Sequence, residues 1–88
     1  MTYTVVLERE RVGGYSVHVP ALPGCHTQGE DLPEALDMAR DAIACHIEAM
    51  QADGEPIPSD CARVVVEIED GVEALVLRVS VPGVAAVA

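Results

Sequence analysis

Cys25-His26 and Cys45-His46 are adjacent thiol–imidazole pairs, and Cys61 and His18 add one more of each. The first chemistry such residues invite is zinc binding or a Cys-His nucleophile. Their spacing argues against both. Neighbours on a strand point to opposite faces and neighbours on a helix diverge by about 100°, so each pair can offer one ligand to a given ion. No two ligands have the close spacing of a structural zinc site. A nucleophilic thiolate needs a positioned base and an oxyanion hole, and no motif marks either. Gly13-Gly14 and Gly29 lack the spacing of a phosphate loop, so no nucleotide is implied. Cys25 is read as structural, His18 and His26 as partly wet sheet residues, and no metal or cofactor is expected.

The acids are more informative. Glu30, Asp31, Glu34, Asp37 and Asp41 crowd one short stretch, with only Arg40 to offset them. Part of this is compensation of a helix dipole, worth about 0.3–1 kcal/mol for each acid in a first turn. Asp37 and Asp41 are different, because like charges at i, i+4 destabilise an isolated helix by a few tenths of a kcal/mol. A basic partner would supply the reason for them, through steering and ion pairing. The alternative, an ordinary solvated face on an acidic chain, stays open at these residues.

The elements that must hold these side chains follow from periodicity. Residues 2–9 alternate, with Tyr3, Val5 and Leu7 on one face, and Tyr15, Val17 and Val19 repeat the pattern after Gly13-Gly14, so the two runs form a hairpin. Pro20 and Pro23-Gly24 impose a turn, and a short third strand follows at Cys25–Gln28. Asp31 with Glu34 forms a capping box, with Pro33 in the first turn. Leu32, Leu36, Ala39, Ile43, Ile47 and Met50 then recur at helical spacing up to Asp53-Gly54. Residues 61–69 alternate, placing Ala62, Val64, Val66 and Ile68 toward the helix, and Asp70-Gly71 signals a hairpin to a last strand at 72–81. The order β-β-β-α-β(-β) predicts an α+β domain over 1–81, a mixed sheet with one long helix packed on one face. Residues 82–88 are an apolar tail, read as poorly ordered or dependent on an oligomer.

Composition bounds the rest. With 88 residues there is room for one domain, and a chain with no Phe, no Trp and two Tyr builds its core from small side chains. So thin a core, with an apolar and edge-prone last strand, predicts a homo-oligomer, dimer or tetramer. Fifteen acids against five basic residues give a net charge of -10, which argues against direct contact with nucleic acid or anionic membrane and favours basic partners. No signal peptide and no membrane span is visible, and an odd number of cysteines suits a reducing compartment, so a cytoplasmic location is expected.

The ordered series Gly14-Tyr15, Pro20-x-Leu22-Pro23-Gly24-Cys25, Thr27-Gln28-Gly29, Glu34-Ala35-Leu36 and Asp53-Gly54 with Pro56 resembles the HicB-like antitoxin family of type II toxin–antitoxin systems. The likeness covers about two thirds of the chain. It implies a partial ribonuclease H-like fold and a partner that is a small basic HicA-like mRNA-cleaving ribonuclease, neutralised by covering its RNA-binding and catalytic surface. Many family members add a C-terminal DNA-binding module, and this chain is read as a short form lacking it. Only six residues follow Pro82, none of them charged.

A ribonuclease H-like fold also raises the question of a nuclease, which needs a carboxylate cluster holding two metals and starting in the middle of the first strand. Thr4-Val5-Val6 occupies that place. The expected function is therefore that of a non-enzymatic antitoxin, with Glu30, Asp31, Glu34, Asp37 and Asp41 as candidate partner-binding residues. The alternative is an orphan oligomeric scaffold or docking module without a toxin.

Overall fold

Alternating apolar residues from Thr2 to Arg9 make β1, the strand on which the sheet is registered. The computed structural model describes residues 1–81. β2 (Tyr15–His18) and β3 (His26–Gly29) follow, then α1 (Leu32–Ala52) and β4 (Ala74–Ser80). The sheet order is β3-β2-β1-β4. Every pairing is antiparallel, with Val6 opposite His18 and Val76, and Val17 opposite Thr27. The expected mixed sheet is thus corrected to a wholly antiparallel one.

The helix covers one face of the sheet. Tyr3, Val5 and Leu7 pack with Val17, Val19, Leu22, Cys25, Val79 and Val81 against Ala35, Ala39, Ile43 and Ile47. Two alanines in the buried stripe let the helix backbone lie close to the strands, which is how a core without large aromatics reaches dense packing. The stripe is turned slightly from the predicted one: Ala35 is fully buried, while Leu32, Leu36 and Met50 pack only partly buried at its margins. Asp31 caps the helix start and Asp53 its end, where Gly54 at φ 71 takes the left-handed turn.

The second correction concerns residues 61–69. They form no strand, and Ala62 and Ile68 are exposed rather than facing the helix. Val65 is 89% exposed. The Asp70-Gly71 turn is present, with Val72 N donating to Glu69 O at 3.1 Å, but the strand beyond it pairs with β1 instead of returning beside 61–69. Register explains why. On β1 the N–H groups of odd residues point to β4, as Arg9 N donating to Glu73 O shows, so the N–H of Thr4 points to the β2 side. There β2 has already ended, because Pro20 opens a turn closed by Val19 N to Cys25 O. Asp60 fills the gap. Its carboxylate accepts from Thr4 N and Thr4 Oγ1, both at 2.8 Å. The start of the segment is thereby held about two strand spacings, roughly 10 Å, from the free edge of β4, out of reach of a hairpin with it.

From this anchor, residues 60–73 run the length of β1, since Glu73 O meets Arg9 N at the other end. Thr4 and Val6, on the face away from the helix, are buried as well. Tyr3 Oη donates to Pro58 O, so the connector after the helix is tied to the same end of β1. Burial, and secondarily the nearby Asp60 carboxylate, pushes the Tyr3 phenol above its usual value and keeps it a donor. The reading of residues 82–88 lies outside the described residues.

Candidate interaction groove

Two glycines bring the hairpin tip, the end of β3 and the helix start together. Gly14 has φ 81, and a Cβ there would lie 2.9 Å from the carbonyl oxygen of Gly29. Gly29 in turn touches the helix: a Cβ there would lie 2.4 Å from Ala35 N and 2.6 Å from Ala35 Cα. Backbone therefore packs on backbone at both steps, which only a residue without a side chain allows. The hairpin tip closes with Glu10 N donating to Gly14 O at 2.9 Å.

The result is an open groove of about 770 Å³ between hairpin tip and helix. Glu10, Glu30 and Glu34 supply its carboxylates, Tyr15 and Met38 its apolar lips, and none of its lining residues is basic. Local hydrogen bonding positions two of the acids. Asp31 Oδ1 accepts from Glu34 N at 2.9 Å, and Glu34 Oε1 accepts from Glu30 N at 3.0 Å, so the cap fixes the backbone that carries Glu30. A surface with three carboxylates and an exposed thioether beside a phenol ring can take a guanidinium or ammonium group, by charge on one side and stacking on the other.

The five acids singled out from the sequence do not form one cluster. Glu30 and Glu34 line the groove. Asp31 directs its carboxylate to the helix N-terminus. Asp37 pairs with Arg40 at 3.0 Å, an exposed i, i+3 contact that offsets the like charge of Asp41 one turn on. Asp37 and Asp41 lie on the exposed helix surface beyond the groove. Glu10 was missed, because in sequence it reads as the frayed end of a strand; its place opposite Gly14 in the hairpin is the signal that could have found it.

The thiols and imidazoles are dispersed. Cys25 is buried in the core, whereas His26 stands directly opposite His18 with both on the sheet face away from the helix. Cys45 is exposed, and Cys61 N donates to Asp60 Oδ1 at 3.0 Å. Among the described residues no group of three or more His, Cys, Asp or Glu is placed to hold a metal ion. Burial, with the Cys45 thiol second, raises the Cys25 thiol above its usual value, and a protonated buried thiol is a poor nucleophile. Among the same residues no helix is long and apolar enough to cross a membrane.

Known proteins are similar to this chain in sequence and in fold. The family described as "HicB_like antitoxin of bacterial toxin-antitoxin system" matches residues 3–84. A UPF0150 protein of Thermoplasma acidophilum is 45% identical over 65 residues, 74% of this chain and 94% of that protein. Among solved structures, the antitoxin HicB of Burkholderia pseudomallei superposes with a TM-score of 0.74 at 31% identity, covering 92% of this chain. The present chain spans 63% of the length of that antitoxin. A chain of the HicA3 and HicB3 toxin–antitoxin complex superposes with a TM-score of 0.68 at 25% identity, covering 94% of this chain and 100% of that one.

Proposed function

From the premise that this chain belongs to the HicB-like antitoxin family of bacterial toxin–antitoxin systems, we propose that it neutralises a small basic HicA-like ribonuclease by docking on its RNA-binding and catalytic surface. The observation that carries this reading is the groove at the hairpin tip, where Glu10, Glu30 and Glu34 meet without any basic residue among them. A protein surface built to bind RNA phosphates presents arginine and lysine, and a matching set of carboxylates competes for the same groups. Asp37 and Asp41 extend the negative field along the helix, where they speed encounter more than they strengthen the bound state.

In this reading the chain makes and breaks no bonds. The centre of β1, where a two-metal nuclease would need a carboxylate, is occupied by Thr4, Val5 and Val6, all buried. A net charge of -10 opposes direct binding to nucleic acid. The reading requires both proteins in the compartment where mRNA is translated.

The test is co-expression with a basic protein encoded beside this chain, followed by binding measurements on the purified pair. Growth rescue is expected for the wild type and loss of rescue for Glu10→Lys combined with Glu30→Lys, with affinity falling about a hundredfold or more. Asp37→Lys with Asp41→Lys should lower the association rate and its salt dependence with a smaller change in dissociation rate. Glu55→Lys, at the far end of the helix, should change neither. Rescue that survives the double reversal in the groove, or a neighbour that shows no affinity for the chain, would overturn the proposal.

A further inference from the structure

Among the described residues, one ladder position of the sheet sets two metal-ligating side chains directly against each other: His18 on β2 faces His26 on β3. Register decides how close they come. Val19 N donates to Cys25 O at 3.1 Å, so the ladder bond belongs to the neighbouring position and His18 with His26 is a non-hydrogen-bonded pair. Such pairs are the closest in an antiparallel sheet, with Cα atoms about 4.5 Å apart. Eight positions and two prolines separate the histidines in sequence, and only the return of β3 beside β2 makes them neighbours.

Both imidazoles stand on the face away from the helix, His26 exposed and His18 half-buried. Neither has a hydrogen-bond or ion-pair partner among the described residues. Each therefore keeps a nitrogen free to ligate, and imidazole nitrogen is a donor that late first-row metal ions favour. It binds such an ion at about 2.0–2.1 Å, so two nitrogens at right angles around one ion sit roughly 3 Å apart. Opposed side chains with Cβ atoms about 4.5–5.5 Å apart reach that spacing by rotation about two bonds each.

We propose that His18 and His26 form a two-histidine chelate for a divalent ion of the nickel and copper class, clamping β3 to β2 at the open edge of the sheet. The neighbours on the same face select the ion. Val6 lies opposite His18 on β1, and Ser16 with Gln28 occupies the next outward-facing pair of the ladder. No third histidine, cysteine or carboxylate joins the two, so water fills the remaining positions. Two adjacent nitrogens completed by water oxygens suit the tetragonal coordination of Ni²⁺ or Cu²⁺, whereas a structural Zn²⁺ site takes four protein ligands. The pair lies outside the acidic groove, and the inference does not rest on the antitoxin reading.

Calorimetric titration of the full chain with Ni²⁺ alone tests it, with NMR of the amides to place the ion. The expected result is one ion per chain and paramagnetic broadening centred on residues 16–18 and 26–28. His18→Ala and His26→Ala should each weaken binding by about tenfold or more, because losing either ligand turns a chelate into a single contact. His46→Ala, on the helix, should leave binding unchanged. Ni²⁺ should also raise the urea midpoint of the wild type, since the unfolded chain does not hold the two imidazoles together, and that rise should vanish in both sheet variants. The midpoint without metal shows that each variant folds, and exposed His26 serves where His18→Ala does not. Wild-type affinity in either sheet variant, broadening centred on Cys45 and His46 or on Cys61, or one ion shared by two chains would each overturn the inference.

Discussion

The junction of Gly14, Gly29 and Ala35 and the segment from Pro58 to Glu73 both fasten chain onto the sheet, but by opposite means. At the first, three stretches of backbone touch with no side chain between them, and the residues involved are close in sequence. At the second, one carboxylate reaches across 56 residues to hold Thr4 by its N–H and its hydroxyl. The difference teaches where each region is fragile. The junction fails when an atom is added, because its backbone cannot separate without moving the helix off β3. The segment fails when an atom is removed, because Asp60 is the acceptor that replaces the missing continuation of β2.

The largest effect should come from adding the single methyl of Gly29→Ala. It would place carbon 2.4 Å from Ala35 N, and overpacking against backbone should cost about 3 kcal/mol, read as a lowered urea midpoint with an unchanged slope. A midpoint within error of the wild type would mean that the junction relaxes easily, and the contrast between the two regions would vanish. Next comes Asp60→Ala, which leaves Thr4 N and Oγ1 and Cys61 N without their acceptor and should cost about 2 kcal/mol. Its signature is regional: proteolysis and hydrogen exchange should rise over residues 59–73 and leave the helix untouched. Equal loosening of both would show that the segment is not held locally.

Acid sharpens the same contrast. Burial pushes the Asp60 carboxyl up, but the hydrogen bonds from Thr4 and Cys61 together outweigh it and hold the group below the usual carboxylate range. A depressed folded value means that its stabilisation is complete above the ordinary Asp range near about 4 and is lost as pH falls through the folded value. Stability measured against pH should therefore show an acid limb that Asp60→Asn flattens. The smallest effect is expected at the helix start, where Asp31→Ala removes the acceptor of Glu34 N and should cost about 1 kcal/mol by thermal unfolding.

Legibility in the sequence followed the range of the forces. The first strand, the hairpin through Gly13-Gly14, the turn around Pro23-Gly24 and the capped helix all stand where alternation, glycine and proline put them. The third strand is shifted by one residue, His26–Gly29 rather than Cys25–Gln28. Residues 61–69 show the opposite case: they carry strong strand-like alternation and form no strand. Of the four residues expected on the inner face, Val64 and Val66 are partly buried while Ala62 and Ile68 are exposed, because alternation makes a strand only where a neighbouring strand offers an edge to pair with. The groove was half legible. Glu30 and Glu34 stood out beside the helix cap, but Glu10 joins them only through the hairpin, and Asp31 and Asp37 are committed to local partners.

By itself the sequence determined the extent of the first strand and of the helix, the places where the chain must turn and the excess of acid, because each depends on residues within a few positions of one another. Tertiary structure decided which strand lies beside which and which carboxylates share a groove. Neighbour choice depends on which N–H groups a strand leaves open, and here Pro20 leaves one at Thr4 that Asp60, far along the chain, is the group to take.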